Sequence, residues 1–99
     1  MVVERALMPI TPGREADFEA AMREARHVVA QAKGFRSLRV TRGIEHPSTY
    51  LLIIEWDTLE DHTVGFRESE LFAQWRGLIG EFFAEPPSVE HYTPIDDEA

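Results

Sequence analysis

The sequence predicts an α+β fold in which two helices cover one face of a four-stranded antiparallel sheet, and three observations carry that expectation. Apolar residues recur at three-and-four spacing in two stretches, from Phe18 to Ala32 and from Leu71 to Phe83, as on the buried stripe of a helix. Between them, Ser48 to Trp56 reads as a strand with large apolar side chains on both faces. Turn-forming residues stand at the junctions. A chain of 99 residues suits a single domain. At this size it buries only roughly 60 to 68% of the surface exposed when unfolded, too little for a second core.

Taken in order, Val2 to Ile10 reads as the first strand. Thr11-Pro12-Gly13 ends it and opens a helix, with proline at the first helical position, where the missing N–H has no partner to lose. That helix carries Phe18, Ala21, Met22, Ala25, Val28, Val29 and Ala32 on one side, and Gly34 closes it in the left-handed conformation. Phe35 to Arg42 and Ser48 to Trp56 are joined across Gly43-Ile44-Glu45-His46-Pro47, so they form a hairpin and run antiparallel. Asp57 or Thr58 caps a short helix through Gly65. Ser69 opens a longer helix, bearing Leu71, Phe72, Trp75, Leu78, Ile79, Phe82 and Phe83, which Pro86-Pro87 ends. Ser88 to Thr93 supplies a short last strand. Residues 1–95 thus make one domain, and 96–99 an acidic, solvated tail.

The resulting order, βαββαβ, is the ferredoxin-like arrangement. In the third strand Tyr50, Leu52, Ile54 and Trp56 point one way, and Leu51 and Ile53 the other. Two helices cover only one of these faces. A contiguous apolar patch is unusual on a monomer, so a second copy of the chain is expected on the other face, giving a homodimer with a barrel-like core. Arg5 and Glu55 fall on that second face, on neighbouring strands, where they could form a paired charge.

Ten Lys and Arg against eighteen Asp and Glu leave a net charge of −8, which repels phosphate backbones and anionic headgroups. Neither nucleic acid nor a membrane surface is therefore an expected partner. No segment approaches the ~20 apolar residues of a spanning helix. Met1 to Leu7 includes Glu4 and Arg5 and lacks the apolar core of a secretory signal, so a cytoplasmic location is the default. The absence of cysteine excludes disulfides, thiolate metal sites and a thiol nucleophile. His27, His46, His62 and His91 are scattered, without an i, i+4 pair or HExxH, and no dinucleotide fingerprint, phosphate loop or GxSxG elbow occurs. No metal or cofactor is expected.

The run Ile54-Glu55-Trp56-Asp57-Thr58-Leu59-Glu60-Asp61-His62, continuing to Phe66 and then Ser69-Glu70-Leu71-Phe72, resembles the antibiotic biosynthesis monooxygenase family. So does the opening Ile10-Thr11-Pro12-Gly13-Arg14-Glu15 followed by Phe18, and the likeness extends from Val2 to Tyr92 through the order and spacing of short motifs. The resemblance implies a dimeric α+β barrel with a cleft between the sheet and the helices of each subunit. It also implies oxygenation of a small phenolic, quinol or anthrone-like aromatic by molecular oxygen, without flavin, haem or metal. A haem-opening branch of the family fits poorly. Its first-strand asparagine falls on Ala6 and its helical histidine ligand on Arg76, and neither residue can do the corresponding chemistry.

On this resemblance His62 and Arg76 are the candidate catalytic residues. Trp56, Phe66, Tyr50, Phe72 and Trp75 are the candidate substrate-binding residues, with Tyr92 offering a further hydroxyl. Each has a plainer reading: aromatic residues at these spacings are core fillers, a lone histidine is often a satisfied structural group, and an arginine stem often lies over apolar surface with its charge in water. An oxygenase that borrows its electrons from the substrate must first deprotonate it. A phenol near pKa 10 facing a histidine near 6.5 makes that step about 5 kcal/mol uphill, so a cation such as Arg76 is needed beside the base. The same residues also fit a non-catalytic ligand-binding or structural dimer module, which a cleft filled by its own side chains would favour.

Overall fold

The computed structural model describes residues 1–96, so that residues 97–99 of the acidic tail lie outside the described residues. The strands are β1 (Val2–Pro9), β2 (Phe35–Arg42), β3 (Thr49–Trp56) and β4 (Ser88–Tyr92), and the helices are α1 (Glu15–Val29) and α2 (Glu70–Ile79). A π-helical turn, Asp61–Phe66, follows β3, and a 3-10 turn, Gly80–Phe82, follows α2. All strand pairings are antiparallel, in the order β2-β3-β1-β4. This is the ferredoxin-like α+β fold, with α1 and α2 packed beside one another on one face.

Alternation of side chains decides what each face carries. On the helix side, Ala6, Met8, Leu52, Ile54, Tyr50 and Trp56 are buried against Phe18, Met22, Ala25 and Val29 of α1 and Trp75 and Ile79 of α2. On the opposite side Val3, Leu7, Leu51 and Ile53 are only half-buried. Arg5 and Glu55 lie on this second side but do not pair. The register sets Arg5 between Ile53 and Glu90, and its guanidinium reaches Glu90 at 3.5 Å. Glu55 instead stands opposite Val3 and accepts the Ser37 hydroxyl at 2.9 Å.

Three boundaries differ from the sequence expectation, two through local turns and the third through backbone pairing with a distant segment. Pro12-Gly13 forms a turn rather than the start of the helix. The Arg14 N–H donates to the Thr11 carbonyl at 2.9 Å, and Gly13 sits at φ +93°, a value that favours glycine after proline in this kind of turn. α1 ends at Val29, and the chain then turns through to Gly34 at φ +84°. α2 stops at Ile79, because the segment after it is claimed by the end of β1. Thr11 N–H donates to the Phe82 carbonyl, Ala84 N–H donates to the Pro9 carbonyl, both at 2.8 Å, and Phe83 bridges Ile10. Phe83 is therefore extended rather than helical and reaches the rim of the space beneath α2. Among the described residues no helix is long and apolar enough to cross a membrane.

Candidate active site

The inward row of β1 reads Val2, Glu4, Ala6, Met8, so the fold carries a carboxylate into a face that is otherwise apolar. Glu4 is 5% exposed. Its register partners are Ile54 on β3 and His91 on β4, and directly opposed residues project to the same side, so His91 also points towards the helices. The third polar group comes from above the sheet. Thr58 caps the segment after β3, its hydroxyl oxygen accepting the Asp61 N–H at 3.1 Å. The chain then widens into the π turn, closed by the Arg67 N–H donating to the His62 carbonyl at 3.1 Å. Asp61 packs against Gly34, where an added Cβ would stand 2.0 Å from its carboxylate oxygen, so this glycine is required by contact as well as by conformation. The docked turn lowers His62, 3% exposed, between Glu4 and His91.

The resulting constellation is continuous. Trp56 donates its indole N–H to Glu4 Oε1 at 2.9 Å, and His62 Nε2 lies 3.4 Å from that same oxygen. On its other side His62 Nδ1 lies 2.8 Å from His91 Nε2, so one proton is shared between the two rings. Trp56 stacks on His62 with ring centres 5.2 Å apart and planes 17° from parallel, and Phe66 closes the group at 5.7 Å from Trp56.

Glu4, His62, Phe66 and Arg67 form one end of a cavity of about 670 Å³. Ala6, Met8, Leu52 and Ile54 are its floor, Phe72, Trp75 and Ile79 its helical wall, and Arg76, Phe83, Glu85 and Pro86 its outer rim. This is within the usual range for a small-molecule site, and its largely apolar walls with a few polar groups gathered at one end have the usual character of one.

Of the residues singled out in the sequence, His62, Phe66, Phe72, Trp75 and Arg76 come together around this space. Trp56 does not line it. It is fully buried behind His62 and acts on Glu4. Tyr50 is also elsewhere: it shares the inward face, but α1 covers that end of β3, so its ring packs on Phe18 at 4.7 Å and its hydroxyl bonds Glu19 at 2.5 Å. Tyr92 is exposed and its hydroxyl donates to Glu90. Arg76 holds its guanidinium over the Phe72 ring at 5.9 Å. Glu4, Arg67 and His91 are the participants that sequence reasoning passed over. The signal for Glu4 was a charged residue in the inward register of a central strand, and for His91 its position opposite.

Burial is the dominant influence on the charges here. It raises the Glu4 carboxyl above the ordinary carboxylate range, against the opposing pull of the Trp56 N–H and the positive field of Arg67. It lowers His62 to about 4, helped by Arg67 and then by His91, and lowers His91 in the same way, helped by Arg67. An ionised Glu4 beside Nε2 works against the fall of His62, but burial of both groups prevails. At neutral pH His62 is therefore a neutral hydrogen-bonding group, and a much weaker base than its ordinary value near 6.5 implies.

Between pH 6.5 and about 4 the unfolded state binds a proton at His62 and the folded state does not, so acidification destabilises the fold. From pH 7 to pH 5 this group alone is expected to remove about 2 kcal/mol, while Glu4, whose folded pKa is raised, acts in the opposite sense and offsets part of it. Urea unfolding at the two pH values checks this. The wild-type loss is expected to exceed that of His62→Gln by about 2 kcal/mol, and equal losses would contradict the assignment.

Comparison with known proteins agrees with the fold and with the sequence resemblance. The family model for antibiotic biosynthesis monooxygenase matches residues 1–78. The uncharacterized protein YczJ of Bacillus subtilis (strain 168) is 39% identical over 95 residues, which are 96% of this chain and 100% of that protein. A crystal structure from Bordetella bronchiseptica, named for the antibiotic biosynthesis monooxygenases, superposes with a TM-score of 0.92 at 44% identity, covering 95% of this chain and 96% of that one. One from Nitrosomonas europaea, similarly named, shares the fold at a TM-score of 0.81 and 18% identity, covering 97% of this chain and 100% of that one. On the match to its family model and on the Bacillus subtilis and Bordetella bronchiseptica relatives at 39% and 44% identity, the chain belongs to the antibiotic biosynthesis monooxygenase family.

Proposed function

We propose that this protein is a cofactor-independent monooxygenase of a small phenolic, quinol or anthrone-like aromatic, with Glu4 as the base that activates the substrate. The observation that carries the reading is the buried Glu4 at the polar end of an apolar, aromatic-walled cavity. Its Oε1 is occupied by the Trp56 N–H and faces His62, while among the described residues no hydrogen bond is made to Oε2, which leaves that oxygen for a ligand.

The chemistry matches these groups. A flat aromatic ring fits between the apolar floor and Phe72 and Trp75. Its acidic hydrogen meets Glu4, whose elevated pKa narrows the gap of about 5.5 units between an ordinary carboxylic acid and a phenol. Arg67 stabilises the anion that forms, and His62 supports Glu4 as a neutral partner. For an anthrone-type CH2 group, Glu4 takes one proton and the carbanion passes electrons to O2, giving a peroxide at carbon. Glu4 returns its proton to the peroxide. Loss of the remaining C–H proton with cleavage of the O–O bond then yields a carbonyl and water, a four-electron oxidation of the substrate by one O2. Arg76, at the rim, is placed to meet the outward end of the ligand.

Oxygen uptake by the purified, chelator-treated protein against a panel of hydroquinones and anthrones tests the reading. Uptake above the protein-free rate, with one atom of labelled O2 in the product, is the expected result. Tight binding of these aromatics without uptake would leave a ligand-binding module of the same fold. The cavity beside His62 argues against a purely structural role, because a structural role needs no space of ligand size.

We propose further that the half-buried face of Val3, Leu7, Leu51 and Ile53 is covered by a second copy of the chain. An apolar stripe of this kind across a sheet face is best buried by a symmetric partner. Light scattering is expected to give twice the chain mass of 11.3 kDa, and Ile53→Asp is expected to halve it. A monomeric wild-type protein at micromolar concentration would count against the dimer.

A further inference from the structure

We infer that His91 is a positioning residue for the Glu4 base, fixing His62 in the tautomer whose Nε2–H faces the Glu4 carboxylate. This rests on the reading of Glu4 as base but makes a separate claim about how that base is held. His91 touches no substrate; it does not line the cavity and acts through His62.

His62 Nδ1 and His91 Nε2 stand 2.8 Å apart. Two neutral imidazoles at that distance share one proton. If the proton belonged to His62, its Nε2 would carry a lone pair, and two acceptors would meet where Nε2 stands 3.4 Å from Glu4 Oε1 in a buried site. If it belongs to His91, His62 accepts at Nδ1 and its Nε2–H points to the carboxylate. An ionised Glu4 favours the second arrangement, and the His91 Nε2–H donated to Nδ1 holds it. With the Trp56 N–H bonded to Oε1 at 2.9 Å and the His62 Nε2–H turned towards the same oxygen from 3.4 Å, the other oxygen is left for the ligand.

Protonating Glu4 reverses the preference. Glu4 then becomes a donor to Nε2, and the shared proton moves to His62. The histidine pair is thus a relay of orientation, whose state follows that of the base. The fold supplies it by register alone, since Glu4 and His91 are cross-strand partners and the π turn seats His62 between them. The charged and titratable groups around this cluster are Glu4 on β1, His62 on the π turn, Arg67 after it and His91 on β4. Arg76 of α2 and Glu85 before β4 lie farther along the same cavity. Both histidines are held below their ordinary values, so the pair stays neutral where the base is ionised.

The test combines nitrogen NMR of labelled histidines with the pH profile of kcat/KM for wild type, His91→Phe and His91→Gln. In the wild type at neutral pH, His62 is expected to be protonated at Nε2 and bare at Nδ1, and to exchange that pattern as Glu4 protonates. His91→Phe removes the donor, so His62 is expected to populate both tautomers. The acid limb, which reports Glu4, then moves up by about one unit and the rate below it falls about tenfold, as loss of an N–H facing the ionised base in a buried site requires. His91→Gln keeps an N–H donor and is expected to restore both. A His62 protonated at Nδ1 in the neutral wild type would overturn the inference. So would a His91→Phe profile with an unmoved limb, or a glutamine variant that folds but fails to restore it. If the monooxygenase reading fails, the wild type takes up no oxygen with any aromatic, and the NMR pattern still decides the role of His91 by itself.

Discussion

Glu4→Gln is expected to lower kcat/KM for an accepted hydroquinone or anthrone by at least about 100-fold, the lower end of what a positioned general base contributes. Glutamine has the same shape as glutamate and keeps a carbonyl oxygen to accept the Trp56 N–H, so the packing of a side chain only 5% exposed is preserved. What it loses is the capacity to hold a proton. The neighbouring histidine cannot substitute, since its lowering to about 4 leaves it about 6 units below a phenol, or roughly 8 kcal/mol uphill. The variant is therefore expected to bind the aromatic with little change in affinity while losing turnover. Oxygen uptake and equilibrium binding, measured on the same preparation, check both halves. Full activity in Glu4→Gln would move the base elsewhere, and His62→Gln would be the next variant to read.

Trp56→Ala is expected to cost about 4 kcal/mol of stability, the usual scale for removing a fully buried tryptophan side chain. Trp56 is 0% exposed and packs edge-on against Phe35, flat against His62 and tilted against Phe66, so its loss empties the junction between the sheet and the π turn. In a domain of this length that corresponds to a fall of about 20 °C in Tm. It also strips the indole donor from Glu4, raising a carboxyl that burial already raises. Trp56→Phe separates the two effects: the ring remains and only the N–H goes. A smaller stability loss of about 1 to 2 kcal/mol with the acid limb of activity moved upward is the expected pattern. Thermal unfolding and the pH profile read them independently, and an unshifted limb in Trp56→Phe would show that the indole serves packing alone.

Much of the architecture was legible because it depends on local periodicity. β2 runs from Phe35 to Arg42 as expected, β1, β3 and β4 end within a residue of expectation, and the inward row of Tyr50, Leu52, Ile54 and Trp56 follows from alternation alone. Where backbone pairing from a distant segment intervenes, sequence reading errs. Phe83 carries the spacing of a helix, yet its neighbours Phe82 and Ala84 bond to Thr11 and Pro9, which no pattern within Leu71 to Phe83 reveals. The candidate site divides in the same manner. His62 and the aromatic residues Phe66, Phe72 and Trp75 stand close together in the sequence, within or just after the run that carries the family resemblance, and the resemblance picked them out. Glu4 and His91 lie at opposite ends of the chain, and Tyr50, correctly placed on its face, is covered by the other helix.

By itself, then, the sequence determined the order of the elements, the buried stripe of each helix and which side chains of β3 share a face, since side-chain direction repeats every two residues in a strand and every three to four in a helix. The tertiary structure alone decided that a carboxylate from β1, an imidazole from the π turn and another from β4 share one buried end of a cavity. Strand register and the docking of Asp61 on Gly34 set those distances, and both are long-range contacts whose geometry depends on the whole sheet. Burial, another property of the assembled fold, then turned Glu4 towards a base and His62 away from one.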